Sequence, residues 1–368
     1  MGEVVLRDVR KRYGDFEAVR GVGFNVGEGE CVVILGPSGA GKTSILKMVA
    51  GLEEVTAGEI YIDGRLVNNL EPHERDVAMT FETYALYPQF SVYDNLAFPL
   101  RAPRHKVPEV EIAERVARVS GMLGIGGLLD RLPAQLSQGQ KQRVGLGRTL
   151  VREPSVFLFD EPLAHVDAKI RNRMRMEIKG IQQQLGCTSV FVTHDYVEAL
   201  ALGSRIAVLN KGELQQIGTP RDVFESPANE FVARIVGDPP FNFMLRTLVS
   251  DGGARTFVTE DGLCKIPVPM EVERKIGDRT GQHLKLGIRP MYVTPTFSAQ
   301  EGPLVRGSVY VFERRETRGI LTVRVGETRL TAMTDPDLKV QIDQAICLRL
   351  DPDRIRVFDP ESTQVIAP

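Results

Sequence analysis

The chain lacks any apolar run near the roughly 18 residues that a membrane-spanning helix needs. The longest run, around Cys31 to Leu35, is strand-sized. It also lacks an excess of either charge. Lys and Arg number 46 against 48 Asp and Glu, a net charge of −2, so neither a nucleic-acid-binding surface nor an acidic solvating tail is expected. Cysteine is sparse: Cys31, Cys187, Cys264 and Cys347 are scattered, with no CxxC pair and no metal-ligand spacing, and read as reduced thiols. Met1-Gly2-Glu3-Val4 begins a strand-like segment, without the basic start and apolar stretch of an export signal. The 35 glycines and 22 prolines among 368 residues exclude collagen-like or low-complexity character, and no internal repeat is visible. What remains is 42% hydrophobic and 26% charged residues, the balance of a soluble intracellular protein. At about 150 residues per domain, its length allows two or three.

Two textures divide the chain. From Met1 to about residue 236, β-branched runs alternate with helical patterns, which implies parallel strands with crossover helices. Cys31–Leu35, Val156–Phe159, Ser189–Thr193 and Ile206–Leu209 are continuously apolar, as strands covered on both faces are. Ile112, Val116, Val119 and Leu123 repeat at helical spacing, and three prolines between Pro99 and Pro108 mark a loop. After the break at Asp238-Pro239-Pro240, alternating runs such as Val305–Val311 and Ile320–Val325 read as half-buried antiparallel strands. The expected division is 1–236 and 237–368, the second a small all-β, barrel-like domain.

Gly36-Pro37-Ser38-Gly39-Ala40-Gly41-Lys42-Thr43 fits the phosphate-binding loop G-x-x-x-x-G-K-[ST]. It follows an apolar strand and precedes a helical run from Ser44 to Ala50, the context the motif needs. Its glycines let successive N–H groups face inward, making an anion nest at a helix start. Lys42 is then a point charge for β- and γ-phosphates, and Thr43 offers a hydroxyl to Mg²⁺. A second apolar strand delivers Asp160, placed to hold the metal, and Glu161, placed to polarise an attacking water.

Leu136-Ser137-Gln138-Gly139-Gln140 resembles the signature motif of the ATP-binding cassette (ABC) ATPases, and the family's other marks appear in order. Tyr13 falls where an aromatic stacks on adenine, Leu163 to Asp167 resembles the D-loop, and Val192-Thr193-His194-Asp195 resembles the switch histidine. The resemblance covers about residues 4 to 236. It implies an α/β P-loop NTPase cassette with a mixed, largely parallel sheet core and a helical arm over about 84–150. It further implies ATP and Mg²⁺ as ligands, with Gly36 to Ser44, Tyr13, Asp160 and Asp167 on the nucleotide. Ser137, Gly139 and Gln140 are implied to contact the γ-phosphate held by a second cassette, face to face. Lys42, Glu161, His194 and, at the position of the family's loop glutamine, Glu82 are implied as the catalytic group.

Single-cassette length, the absence of a long coiled-coil insertion, and the segments Tyr84–Pro88 and Val92–Leu96 resemble importer ATPases, whose arm receives a helix of a membrane subunit. Gly237–Met244, Gly287-Ile288-Arg289-Pro290 and Phe358-Asp359-Pro360-Glu361 resemble carbohydrate importers of the maltose and glycerol-phosphate type, with an OB-like regulatory (TOBE) domain. The implied protein is a peripheral subunit on the cytoplasmic membrane face. Its partners are a second ATPase subunit, two permease subunits and, indirectly, an extracytoplasmic solute-binding protein. Two other readings stand beside it: a partly degenerate cassette paired with a different ATPase subunit, and a soluble ABC switch protein.

Glu82 stands where the family carries a glutamine, and Gln138 replaces a signature glycine. A carboxylate at Glu82 still ligates Mg²⁺ and so joins Thr43 and Asp160 as a metal candidate, but it also faces the γ-phosphate. One like-charge pair at ~4 Å costs about 4 kcal/mol at an effective dielectric near 20. Glu82→Gln is expected to raise steady-state ATP turnover, by up to roughly a thousandfold if that whole cost lies on the barrier. An unchanged or lower rate removes the electrostatic account.

Overall fold

A computed structural model describes residues 2–81, 85–102, 107–164, 168–251, 254–258, 265–297 and 304–367. The chain divides into two compact units, Met1–Pro220 and Arg221–Pro368. Among the described residues no helix is long and apolar enough to cross a membrane.

The first unit runs β1 (Val4–Tyr13), β2 (Phe16–Val26), β3 (Cys31–Leu35), α1 (Lys42–Ala50), β4 (Ala57–Ile62), β5 (Arg65–Leu66) and β6 (Val77–Thr80). It continues through α2 (Val92–Ala97), α3 (Glu109–Met122), α4 (Gln138–Leu150), β7 (Val156–Asp160), α5 (Ala168–Leu185), β8 (Thr188–Thr193), α6 (Tyr196–Leu202), β9 (Arg205–Asn210) and β10 (Glu213–Gly218). An antiparallel sheet has the order β2-β1-β4-β5, and a second sheet has the order β10-β9-β3-β8-β7-β6. Pairing in the second sheet is parallel except at the β10 edge.

The apolar face of α1 (Ile45, Leu46, Met48, Val49) shares one core with Val4, Leu6 and Val9 of β1 and with Val32, Ile34, Leu158, Val190 and Val192 of the parallel sheet. Burial on both faces explains the continuous apolar runs within β3, β7 and β8. Cys31 and Cys187 are buried free thiols; burial pushes the Cys31 thiol up and the Cys187 thiol up to about 11, so both are poor nucleophiles. Cys347 is also free, and Cys264 lies outside the described residues.

Within the expected arm, Asn95 is fully buried and organises the turn before α2. Its Oδ1 accepts from the Tyr87 N–H at 2.9 Å, and its Nδ2 donates to the carbonyls of Tyr87, Phe90 and Ser91 at 3.0–3.1 Å. Tyr87, Phe90 and Phe98 cluster beside it, with ring centroids 4.7–5.5 Å apart. Tyr84 lies outside the described residues.

The second unit holds two antiparallel sheets. One orders Lys265–Pro267, Ala254–Val258, Asn242–Asp251, His283–Ile288, Arg356–Phe358 and Val365–Ala367; the other orders Val293–Thr296, Ala345–Leu350, Leu304–Arg314, Gly319–Val325 and Thr328–Thr334. Both contribute to one core, including Leu248, Phe257, Leu286, Leu321, Leu330 and Leu348. The unit begins at Arg221, upstream of the expected boundary at residue 236, and Arg289 is one of the residues that tie this segment to the strands. Its guanidinium stacks on Phe224 at 3.6 Å and on Phe241 at 4.5 Å. It also donates to the Phe224 carbonyl at 3.1 Å and to the Val236 carbonyl at 2.7 Å. Arg356 donates to the Glu225 carbonyl at 3.2 Å, and the Glu230 N–H to the Thr363 carbonyl at 2.9 Å. The segment resembling a hinge therefore runs inside this unit.

A buried cation held by carbonyls and aromatic faces leaves several unsatisfied groups when truncated, at a cost of about 2–4 kcal/mol. Arg289→Ala is expected to lower the calorimetric denaturation midpoint of the full chain by several degrees, and Arg289→Lys to restore only part of it. An unchanged midpoint for Arg289→Ala would show that the clasp does not hold the unit together.

Candidate active site

β3 ends at Leu35, and the chain wraps through Gly36–Gly41 before entering α1. Two glycines are required by this wrap. A Cβ on Gly36 would lie 2.4 Å from the Leu209 carbonyl oxygen, and Gly41, with φ +98°, would place one 2.5 Å from that of Ala18. Gly41 caps α1 and has no side chain to accept from the N–H groups of the first turn. They form the positive end of the helix dipole. The other end of α1 is tied down by buried Arg75, which donates to the Met48 and Val49 carbonyls at 2.7 and 3.1 Å. Lys42 is buried, and its Nζ donates to the Gly36 and Pro37 carbonyls at 3.0 Å each, which holds the ammonium at the mouth of the loop.

The parallel register aligns the strand ends: Leu35 pairs with Thr193 and Asp160 with Val192. Asp160 is buried, and its carboxylate Oδ1 accepts from the Thr43 hydroxyl at 3.0 Å. The Asp160 N–H donates to Thr80 Oγ1 at 3.0 Å. Glu161 follows with φ +43°, a left-handed backbone that costs a non-glycine residue about 1–3 kcal/mol. Its N–H donates to the Val192 carbonyl at 3.1 Å, which holds that turn. The carboxylate is consequently shared: Oε1 lies 3.6 Å from Lys42 Nζ, and Oε2 lies 2.9 Å from His194 Nδ1. The His194 side chain remains 56% exposed. Lys42, Thr43, Asp160, Glu161 and His194 thus form one connected group from three separate chain segments.

The signature residues occupy the start of α4. Ser137 Oγ accepts from the Gln140 N–H at 3.3 Å, while Gln140 Oε1 accepts from the Ser137 N–H at 2.9 Å, a reciprocal capping box. Gly139 has open space beside its Cα. Ser137, Gly139 and Gln140 make no hydrogen bond to the Lys42–His194 group among the described residues. One turn further along, buried Gln142 donates from Nε2 to the Pro162 carbonyl at 2.5 Å and couples α4 to the turn after Glu161. Sequence reasoning missed Gln142 and Thr80. A polar residue closing the apolar strand Val77–Thr80 was a usable signal for Thr80, whereas nothing in the sequence marked Gln142. Tyr13, at the end of β1, is 43% exposed with Lys11 Nζ 4.8 Å from its ring. Glu82 and Asp167 lie outside the described residues.

No cluster of three His, Cys, Asp or Glu side chains suited to a metal occurs among the described residues. The Thr43 hydroxyl and Asp160 carboxylate fit Mg²⁺ all the same. This ion prefers hard oxygens and takes one or two from protein, with waters and substrate phosphate supplying the rest.

A profile of the family described as ABC transporter matches residues 19–164. The trehalose/maltose import ATP-binding protein MalK of Thermococcus litoralis is 44% identical, with 100% of each chain covered. This chain belongs to the ABC transporter family, as one of its ATP-binding subunits. The ABC subunit is also 40% identical to the sn-glycerol-3-phosphate import ATP-binding protein UgpC of Ralstonia nicotianae, over 100% of this chain and 99% of the relative. A dimeric post-hydrolysis structure of the ATP-binding cassette MJ0796, bound to ADP and Pi, superposes with a TM-score of 0.55 at 32% identity. It covers 59% of the ABC subunit and 99% of its own chain.

A charge-assisted contact to phosphate contributes about 1.5–3 kcal/mol, so removing the ammonium of this ABC subunit with Lys42→Ala is expected to weaken MgATP binding roughly tenfold to hundredfold. Isothermal titration measures this directly, and unaltered affinity would discredit the loop as the phosphate site.

Proposed function

We propose that the chain hydrolyses ATP at the Lys42–Glu161–His194 group to drive import of a sugar, polyol or glycerol-phosphate type solute. The observation that carries the chemistry is the Glu161 carboxylate held between Lys42 at 3.6 Å and His194 at 2.9 Å, beside the Thr43–Asp160 pair. Relatives aligned along the whole chain, named for trehalose/maltose and sn-glycerol-3-phosphate import, support the solute class.

In this mechanism the loop N–H groups and Lys42 take the β- and γ-phosphates. Thr43 and Asp160 would hold Mg²⁺, which would neutralise phosphate charge when bound. As Lys42 turns to phosphate, Glu161 Oε1 is left to accept a proton from a water. That water's oxygen bonds to the γ-phosphorus while the bond to the bridging oxygen breaks, and ADP and phosphate result. His194 steadies the other carboxylate oxygen and contacts the γ-phosphate. Ser137, Gly139 and Gln140, on the exposed start of α4, meet the phosphate of a second cassette, so ATP joins two cassettes and hydrolysis releases them. Permease subunits engage the arm. A groove of about 350 Å³ lined by Leu52, Met79, Phe81, Pro99 and Arg148 suits an apolar helix there, and attachment through permeases keeps the subunit at the membrane surface.

Glu161→Gln is expected to lower kcat by roughly 10²–10⁴-fold and to accumulate an ATP-bound dimer in light scattering. Normal turnover in that variant would place the base elsewhere. In proteoliposomes carrying the cognate permeases and binding protein, ATP hydrolysis should rise with maltose, trehalose or glycerol 3-phosphate. Stimulation by a metal ion or polyamine instead would overturn the solute class.

A further inference from the structure

The mechanism above leaves one buried acid unused. Glu198 is 3% exposed in the first turn of α6, four residues after His194, and among the described residues no cation makes an ion pair with it. Its Oε2 accepts from the Thr193 hydroxyl at 2.7 Å. The same hydroxyl accepts from the Asp195 N–H at 3.0 Å, and Asp195 Oδ1 then caps α6 by accepting from the Val197 N–H at 2.8 Å. Arg171 Nη1 lies 3.8 Å from the other Asp195 oxygen. The residues on both sides of His194 are therefore pinned to one hydroxyl, and that hydroxyl is oriented by one buried carboxyl. The His194 side chain is more than half exposed, and its hydrogen bond is to Glu161. Burial, reinforced by Asp195, pushes the Glu198 carboxyl above its ordinary range, against the hydrogen bond from Thr193 and the pull of Arg171 and Arg175. Retaining an acid at such a desolvated position is costly unless its geometry is used.

We propose that Glu198 is a positioning residue for ATP hydrolysis: through the Thr193 hydroxyl it fixes the main chain at His194 and so the contact between His194 and Glu161. This inference rests on the reading of Glu161 and His194 given above. Glu198 is buried behind Thr193 and, among the described residues, makes no hydrogen bond to Lys42, Thr43, Asp160 or Glu161, so its loss should act on turnover and not on binding.

The full-length chain is assayed as Glu198→Ala, Glu198→Gln and Thr193→Val, each also combined with His194→Ala. Glu198→Ala is expected to lower kcat at least tenfold with KM and MgATP affinity within about twofold, and Glu198→Gln, whose amide oxygen still accepts from Thr193, to recover most of the loss. On the His194→Ala background Glu198→Ala should cost nothing further, because both act through one contact. Thr193→Val removes the hydroxyl while keeping the carboxyl, and serves where Glu198→Ala does not fold; the same kcat loss and the same non-additivity are expected. Unchanged turnover in the alanine and valine variants, or an equal loss with and without His194, would overturn the proposal. Full activity of His194→Ala alone would instead overturn the reading of His194.

Discussion

The in-register parallel pairing of β3, β8 and β7 is the constraint on which the rest of the first unit depends. It brings Leu35, Thr193 and Asp160 to one edge of one sheet, so the loop after β3, the turn after β7 and the turn after β8 open onto the same space. A slip of one residue would send every side chain of a strand to the opposite face, carrying Asp160 away from Thr43 and His194 away from Glu161. Burial on both faces is what forbids the slip, because either register error would present polar strand-end residues to a dry core. Ligand sites at the carboxyl ends of parallel strands are the general outcome of this geometry.

That edge is electrostatically expensive. A buried ammonium, a buried carboxylate and a second carboxylate lie within hydrogen-bond or near ion-pair distance, and one of them sits on a left-handed backbone. Such an arrangement persists where surrounding structure over-determines it. Here the supports are mostly main-chain, the Val192 carbonyl under Glu161 and the Gly36 and Pro37 carbonyls under Lys42, joined by the Thr80 side-chain hydroxyl that accepts from the Asp160 N–H. A polyphosphate entering this edge finds its donors aimed in advance, which lowers the reorganisation that binding and transition-state stabilisation would otherwise require.

The second unit solves a different problem. Two open antiparallel sheets share a core, and the helices preceding them are tied to it by the stacked Arg289 guanidinium together with Arg356, the Lys285–Glu230 ion pair and main-chain bonds. Carbonyl oxygens and two aromatic faces together seat the Arg289 guanidinium, which helps to hold a short helix and an irregular segment within the β unit.

The phosphate loop and the Asp160–Glu161 strand end were readable from residue types and spacing, and His194 and the helix start at Ser137 from the resemblance to a family, because each is a local device carried by a few neighbouring residues. The apolar strands were legible for the same reason, since two-sided burial leaves a run of a single texture. Which side chains meet was not legible. Nothing local joins Gln142 to Pro162, Arg75 to the end of α1, or Arg289 to Phe224, because these contacts span 20, 27 and 65 residues of sequence. The limit of the second unit escaped for that reason as well: a break in texture marks where strands begin, whereas a compact unit ends where long-range contacts do. Local chemistry named the candidate groups for phosphate, and the closing of distant segments onto one sheet edge set the distances between them.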